Sequence, residues 1–209
     1  MLILEPDHTS SIWITADHHF FHNIIIKYCN RPFSGINEMN KIMIQRWNEK
    51  IKPNDEVIHL GDMFCGYKPS GYSWVSNQLN GKKHLIRGNH DRKSDGVWRD
   101  RYGFETVQDF LILGDYFFCH YPLLFHPAQT PKQREMIILL KEAFELSKCK
   151  YIFHGHSHNT PIKDYPANYY NVGVDMNNFY PINLKEKIIE LNWKGRQKKY
   201  QKRNIYKNV

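Results

Sequence analysis

The segment of this chain richest in groups able to do chemistry is Gly88-Asn89-His90-Asp91. Three consecutive side chains offer an amide oxygen, an imidazole that can titrate near neutrality and a carboxylate. Asn, His and Asp are also ordinary turn residues, so the tetrapeptide alone reads first as a turn. Four other segments repeat its pattern of polar side chains just past a hydrophobic run. They are Asp17-His18-His19 with His22 close behind, Gly61-Asp62, His120, and His154-Gly155-His156-Ser157-His158. Asp17 and His19 can point to one side if the backbone between them stays extended. The collected donors exceed what one metal needs, since three or four fill a single divalent site. They suit two ions about 3.5–4 Å apart that share one carboxylate, an arrangement that clamps an in-line displacement at phosphorus. Nitrogen and oxygen ligation without thiolate points to Mn, Fe, Zn or Ni rather than Mg or Ca. No Cys-x-x-Cys pair supports a zinc finger, and no Gly-x-Ser-x-Gly supports a serine hydrolase.

These side chains need elements that end together. Residues 11–15, 56–60, 83–87 and 150–153 are β-prone runs, and each stops where one of the polar segments begins. Apolar residues at helical spacing from Ile36 to Ile51 predict an amphipathic helix over about 37–50, whose Met39, Met43 and Trp47 are core packing. A short helix is expected over 72–79, and a longer one over 131–148 with Pro131 at its start. Residues 91–104 read as irregular. Residues 107–113 and 116–119 read as a hairpin turning at Gly114-Asp115, whose second arm delivers His120. Residues 168–174 and 187–193 are expected to close the sheet region. Strand–helix–strand repetition is the pattern of a layered α/β fold.

The chain resembles the calcineurin-like metallophosphoesterase superfamily, whose motifs are Asp-x-His, Gly-Asp, Gly-Asn-His-Asp/Glu, a lone His and Gly-His-x-His. All five occur here in order: Asp17-His18-His19, Gly61-Asp62, Gly88 to Asp91, His120, and Gly155 to His158. Within that superfamily it is similar to a small bacterial and phage group with His-Phe-Gly-His and Cys-Asn-Arg-Pro-Phe. The matching residues are His19-Phe20-Phe21-His22 and Cys29-Asn30-Arg31-Pro32-Phe33, so Phe21 stands where the group has glycine. The resemblance implies an α/β fold of four layers, αββα, in which two mixed β-sheets pack face to face with helices outside. It also implies a dinuclear centre, with manganese the favoured metal. Asp17, His19 and His158 would hold one ion and Asn89, His120 and His156 the other, with Asp62 bridging. A metal-activated hydroxide would attack phosphorus while His90 assists the leaving oxygen. His18 is expected to be structural. His154 reads either as an orienting neighbour of the ligands or as a buried, hydrogen-bonded histidine. His59, His84, His8 and His126 are expected to lie outside the chemistry. His22, Arg31 and Arg87 are candidate substrate contacts, although surface ion pairing accounts equally well for the two arginines.

At 209 residues, 41% hydrophobic and 24% charged, the composition is that of one globular domain over 1–193. No apolar run is long enough to cross a bilayer and no leader is evident, so a cytosolic location without membrane contact is expected. The four cysteines are widely spaced and read as reduced thiols. The net charge of +8 belongs to the segment 194–209, where seven cations (Lys194, Arg196, Lys198, Lys199, Lys202, Arg203 and Lys207) occur without an acid. That tail is either a solvated terminus or an arm for polyanions. The expected substrate is therefore a phosphate ester, a diester in preference to a monoester, with a nuclease-like protein that binds nucleic acid or nucleotide as the alternative. A non-catalytic module on the same fold would be expected to have lost ligands, and none is missing. Oligomeric state is not legible.

Overall fold

The computed structural model describes residues 11–66, 69–124, 130–162 and 164–191; the basic tail, His8 and His126 lie outside them. Nine strands form two mixed sheets among the described residues. In chain order they are β1 (Ile12–Thr15), β2 (Glu56–His59), β3 (Lys82–Ile86), β4 (Phe104–Gln108), β5 (Phe110–Leu113), β6 (Tyr116–Cys119), β7 (Tyr151–His154), β8 (Tyr169–Asn171) and β9 (Ile182–Asn183). The first sheet runs β4-β3-β2-β1-β9 and the second β5-β6-β7-β8. Strands β1 to β4 are parallel with β9 antiparallel to them. Likewise β6, β7 and β8 are parallel and β5 is antiparallel.

Alternation along the strands builds the layers, because successive side chains leave a strand on opposite faces. Ile14, Ile58 and Ile86 of the first sheet meet Leu111, Phe118 and Phe153 of the second in one buried cluster. The outer face of the first sheet, through Val57 and Leu85, packs on Met39, Met43 and Trp47 of α2 (Ile36–Lys50) and on Tyr72 and Val75 of α3 (Pro69–Ser76). Phe117 and Ile152 face outward from the second sheet onto Ile137 and Leu140 of α4 (Pro131–Ser147). The order is therefore helix, sheet, sheet, helix. Helix α4 begins with a capping box: Thr130 accepts from the Gln133 N–H, Gln133 reaches back to the Thr130 N–H, and Pro131 follows the cap.

The sequence-based elements require four corrections. Residues 107–113 are not one hairpin arm. Val107 belongs to β4, parallel to β3, and only Phe110–Leu113 turns back against β6, so the chain changes sheets at Asp109. Residues 91–104 hold a π-helical turn, Val97–Arg101, anchored by buried Trp98. Residues 184–191 are helical, with Leu184 and Leu191 buried in the cluster between the sheets. Helix α1 (Asn23–Tyr28) was not anticipated, because its run of three isoleucines looks β-prone and only Ile25 is buried.

Candidate metal centre

The parallel strands bring the polar segments to one edge, where their loops are hydrogen-bonded to one another. Asp17 N–H donates to Gly61 O and His19 N–H to Asp62 O, each at 3.0 Å, so the loops after β1 and β2 run side by side. Between the sheets, Ala16 bridges to Gly173, and within the second sheet Gly155 N–H donates to His120 O at 3.0 Å just past β7 and β6. Gly61 has φ +87 and sits against Gly88, and a Cβ on Gly88 would lie 2.2 Å from Asp62 Oδ1. That turn has room for the carboxylate only because both residues lack a side chain.

Of four donor groups among the described residues, two consist wholly of the predicted ligands. Asp17, His19 and His158 place donor atoms within 4.8 Å of one another, and Asp62, His120 and His156 do the same. Asp62 joins them, with Oδ2 3.4 Å from His19 Nε2 and 3.5 Å from His120 Nε2. Its other oxygen, Oδ1, accepts the His90 N–H at 2.8 Å, which fixes the carboxylate's rotation. Asn89 Oδ1 and His156 Nδ1 both lie 3.1 Å from His120 Nε2. All seven predicted ligands are thus brought together. The backbone from Asp17 to His19 is not extended, so another geometry brings the two side chains together: φ is 61° at Asp17 and 51° at His19, and Asp62, His156 and His158 are also positive. Left-handed backbone in non-glycine residues costs roughly 1–3 kcal/mol each and clusters at functional sites. Phe21 also adopts it, at φ 69°, keeping a backbone glycine would favour while its ring packs 5.7 Å from Tyr72.

The surrounding residues set tautomer and charge. His120 Nδ1 donates to Leu60 O at 2.8 Å, leaving Nε2 to face Asp62. Asp17 accepts the His156 N–H at 2.9 Å and 3.0 Å, and burial, partly offset by His158 and His120, raises its carboxyl to about 6. Burial would also raise Asp62, but His120, His19 and His90 together outweigh it and hold that carboxyl well below its usual range. Burial lowers His19 to about 4 and His156 to about 3, so both are neutral at pH 7 and able to donate a lone pair. The buried Nε2 of His19 has no hydrogen-bond partner. An unpaired buried acceptor is costly, and a cation beside it would satisfy it. The residues therefore fit divalent ions, and these clusters could hold them.

Three orienting groups stand behind the ligands: Asp91, whose carboxylate the sequence already offered for that purpose, His22, which it offered for substrate contact, and Asp175, which it did not single out. Asp175 accepts from His158 Nδ1 at 2.8 Å and pairs with Arg31 through both oxygens at 2.8 and 2.9 Å. Burial disfavours charge on His158, yet the bond to Asp175 outweighs it, with Cys29 and Asp17 adding, and raises the imidazole to about 11, so that without an ion it is protonated and would release that proton on serving as a ligand. Asp91 accepts N–H bonds from Asp62, Gly88 and Met63, and so clamps the turn that carries Asp62. His22 Nδ1 lies 3.3 Å from His19 Nδ1 and orients that ring. Only proximity to a strand end signals Asp175 in the sequence, as an acid two residues past Gly173.

The remaining candidates are placed as follows. Exposed His90 puts Nε2 4.0 Å from Asp62 Oδ2 and Nδ1 3.5 Å from Cys65 Sγ. The buried guanidinium of Arg31 is taken up by Asp175 and by the carbonyls of Asp17 and His18 at 2.7 and 2.8 Å. Arg87 pairs with Asp95 and Asp109 at the surface. His18 turns away from the centre to His59 at 2.9 Å and stacks on Phe20. His154 is buried between Gly155 O and the Tyr165 hydroxyl, and His84 pairs with Glu56 at 2.7 Å. No helix of the described residues is long and apolar enough to cross a membrane.

The chain is 31% identical over 191 residues to an uncharacterized protein of Methanocaldococcus jannaschii, covering 88% of this chain and 93% of that one. It is also 31% identical over 86 residues to the Gene 66 protein of a Mycobacterium phage, 40% of this chain and 41% of the other. A solved structure of a protein of unknown function from Aquifex aeolicus superposes with a TM-score of 0.70 at 25% identity, covering 88% of this chain and all of that one. Residues 11–174 match the calcineurin-like phosphoesterase superfamily domain, and with its motif residues gathered at one sheet edge the chain belongs to that superfamily.

Proposed function

We propose that the protein is a dinuclear metal-dependent phosphoesterase with a preference for diesters. The reading rests on one observation above all: a single oxygen, Asp62 Oδ2, lies 3.4 and 3.5 Å from imidazole nitrogens of two separate donor clusters. Asp17, His19 and His158 would hold one ion, Asn89, His120 and His156 the second, with Asp62 common to both. Manganese suits this nitrogen and oxygen set. When bound, such ions lower the pKa of water and neutralise phosphoryl charge. The protein's own residues do the rest. Asp62 is kept ionised by the imidazoles around it, Asp91 and the His90 N–H hold it in place, and Asp175 and Leu60 O fix the ring orientations of His158 and His120. His90 stands at the edge of the cluster with its Nε2 toward it, suited to protonating a departing oxygen or steadying the charge on it. Arg31 supports the Asp17 and His18 backbone from within, which leaves His22 as the candidate for substrate contact.

The test is reconstitution. Chelated full-length protein should bind two Mn²⁺ per chain and hydrolyse bis(p-nitrophenyl) phosphate faster than p-nitrophenyl phosphate. Asp62→Asn should keep the fold, bind fewer than two ions and lose at least 10²-fold in turnover, in keeping with loss of a shared ligand. Wild-type metal content and activity in that variant would rule out the shared carboxylate.

A further inference from the structure

Cys65 is not among the seven candidate ligands, yet the fold sets it against them. Its Sγ is 3.5 Å from His90 Nδ1, and donor atoms of His19, Cys65 and His90 lie within 4.8 Å of one another. A sulfur and a nitrogen on one edge of a tetrahedral zinc site stand about 3.5 Å apart, given bonds of about 2.3 and 2.0 Å to the metal. The third member has a donor to give. With its Nδ1 3.3 Å from His22, His19 keeps Nε2 buried and without a hydrogen-bond partner. Solvent reaches the group, because exposed His90 and half-buried Cys65 line an opening at the surface beside Arg92 and Lys93. Those two cations disfavour an ion held by charge alone, so binding here depends on the sulfur. Thiolate suits Zn²⁺ and does not suit Mn²⁺ or Mg²⁺. The other thiol near the centre is closed off: Cys29 groups with His158 and Asp175, but it is buried and Arg31 occupies both Asp175 oxygens.

We propose that His19, Cys65 and His90 form a further metal site, which takes Zn²⁺ and whose occupation turns the phosphoesterase centre off. The inhibitory half of this proposal rests on the function proposed above, and the binding half does not. As the ion binds, the Cys65 S–H gives its proton to solvent and a sulfur–metal bond forms. His19 has only Nε2 to offer, so an ion held with Cys65 takes that nitrogen from the group it forms with Asp17 and His158. The same ion engages His90, which is then lost to a departing oxygen. Mn²⁺ has little affinity for sulfur and fills only the nitrogen and oxygen donors, so one metal supports turnover and a softer one stops it.

Two measurements on the full-length chain test it. Co²⁺, standing in for Zn²⁺, should give chelated protein a near-ultraviolet thiolate-to-cobalt charge-transfer band. Cys65→Ser and Cys65→Ala should both lose that band, and Cys29→Ser should keep it. A band undiminished in the Cys65 variants, a band lost with Cys29, or no band in the wild type would overturn the site. In the second measurement, Zn²⁺ is titrated against turnover of bis(p-nitrophenyl) phosphate by Mn²⁺-loaded protein, each variant being referred to its own rate with Mn²⁺ alone. Cys65→Ser should need at least about tenfold more Zn²⁺ than the wild type for half-inhibition. Equal half-inhibition, as plain replacement of Mn²⁺ by Zn²⁺ would give, would overturn the inhibitory role. If no metal supports turnover, the phosphoesterase reading fails, while the cobalt band still decides the site.

Discussion

At the scale of single residues, the centre depends on side chains that touch no reacting atom. Asp175 is the clearest. It serves Arg31 and His158 at once, and the Arg31–Asp175 pair is almost wholly buried, at 0% and 2% side-chain exposure. Breaking a buried pair by removing one charge typically costs 3–5 kcal/mol, because the partner is left uncompensated. Asp175→Asn is therefore expected to lower the melting temperature by roughly 10 °C, taking about 2–4 °C per kcal/mol for a chain of this size. It should also weaken metal binding by about 10–100-fold through the loss of His158 orientation. Thermal unfolding and metal titration of the variant check both, and an unchanged melting point would remove Asp175 from the support of the site. The motif residues could be read from the sequence because ligands must be His, Asp or Asn at strand ends. Asp175 and Arg31 could not, because their pairing spans 144 positions and a lone acid or arginine carries no sign of its partner.

At the scale of elements, the strands leading into the site were legible because each combines a buried β-branched or aromatic run with a polar stop. What was lost was the change of sheet at Asp109, where Val107 and Leu111 look like one continuous apolar run although they face different cores. Hydrophobicity reports burial and does not report which layer does the burying. Helix α4 was legible from Pro131 and its apolar spacing, and its start is independent of the chemistry. Thr130→Ala removes the hydroxyl half of the capping box, the acceptor of the Gln133 N–H, and should cost about 1 kcal/mol. Urea unfolding should show that loss while turnover of a phosphate ester stays at the wild-type value. A matching fall in activity would mean that α4 transmits to the site.

For the whole molecule, buried imidazoles govern the acid response. Burial holds His59 at about 3 and His154 at about 4, against an ordinary value of 6.5. The folded state thus binds fewer protons than the unfolded chain, so their contribution is complete above pH 6.5 and is lost as pH falls toward those values. His18, His19 and His156 act in the same sense, whereas Asp17, raised to about 6, Asp91, raised by burial and the Asp62 charge to about 7, and His158, raised to about 11, oppose them. Five lowered imidazoles outweigh these three, and chelated protein should melt progressively lower from pH 6.5 down to 4. A melting point that rose over that interval would contradict the burial of these rings. The second whole-molecule prediction concerns charge. Removing residues 194–209 takes away seven of the 29 cations, and if the tail is an arm for polyanions, oligonucleotide affinity and its salt dependence should both drop. Unchanged binding with an unchanged salt slope would leave the tail as a solvated terminus.

The bond from the His156 N–H to Asp17 spans 139 positions, and it joins the first candidate ligand to one of the last. On the ribosome, Asp17 and His19 are made early and must wait until the loop after β7, and then Asp175, have emerged. No nascent fragment ending before that loop contains either donor cluster complete. Either cluster could therefore take up an ion only after the loop that follows β7 has been made and has folded back on the loop after β1.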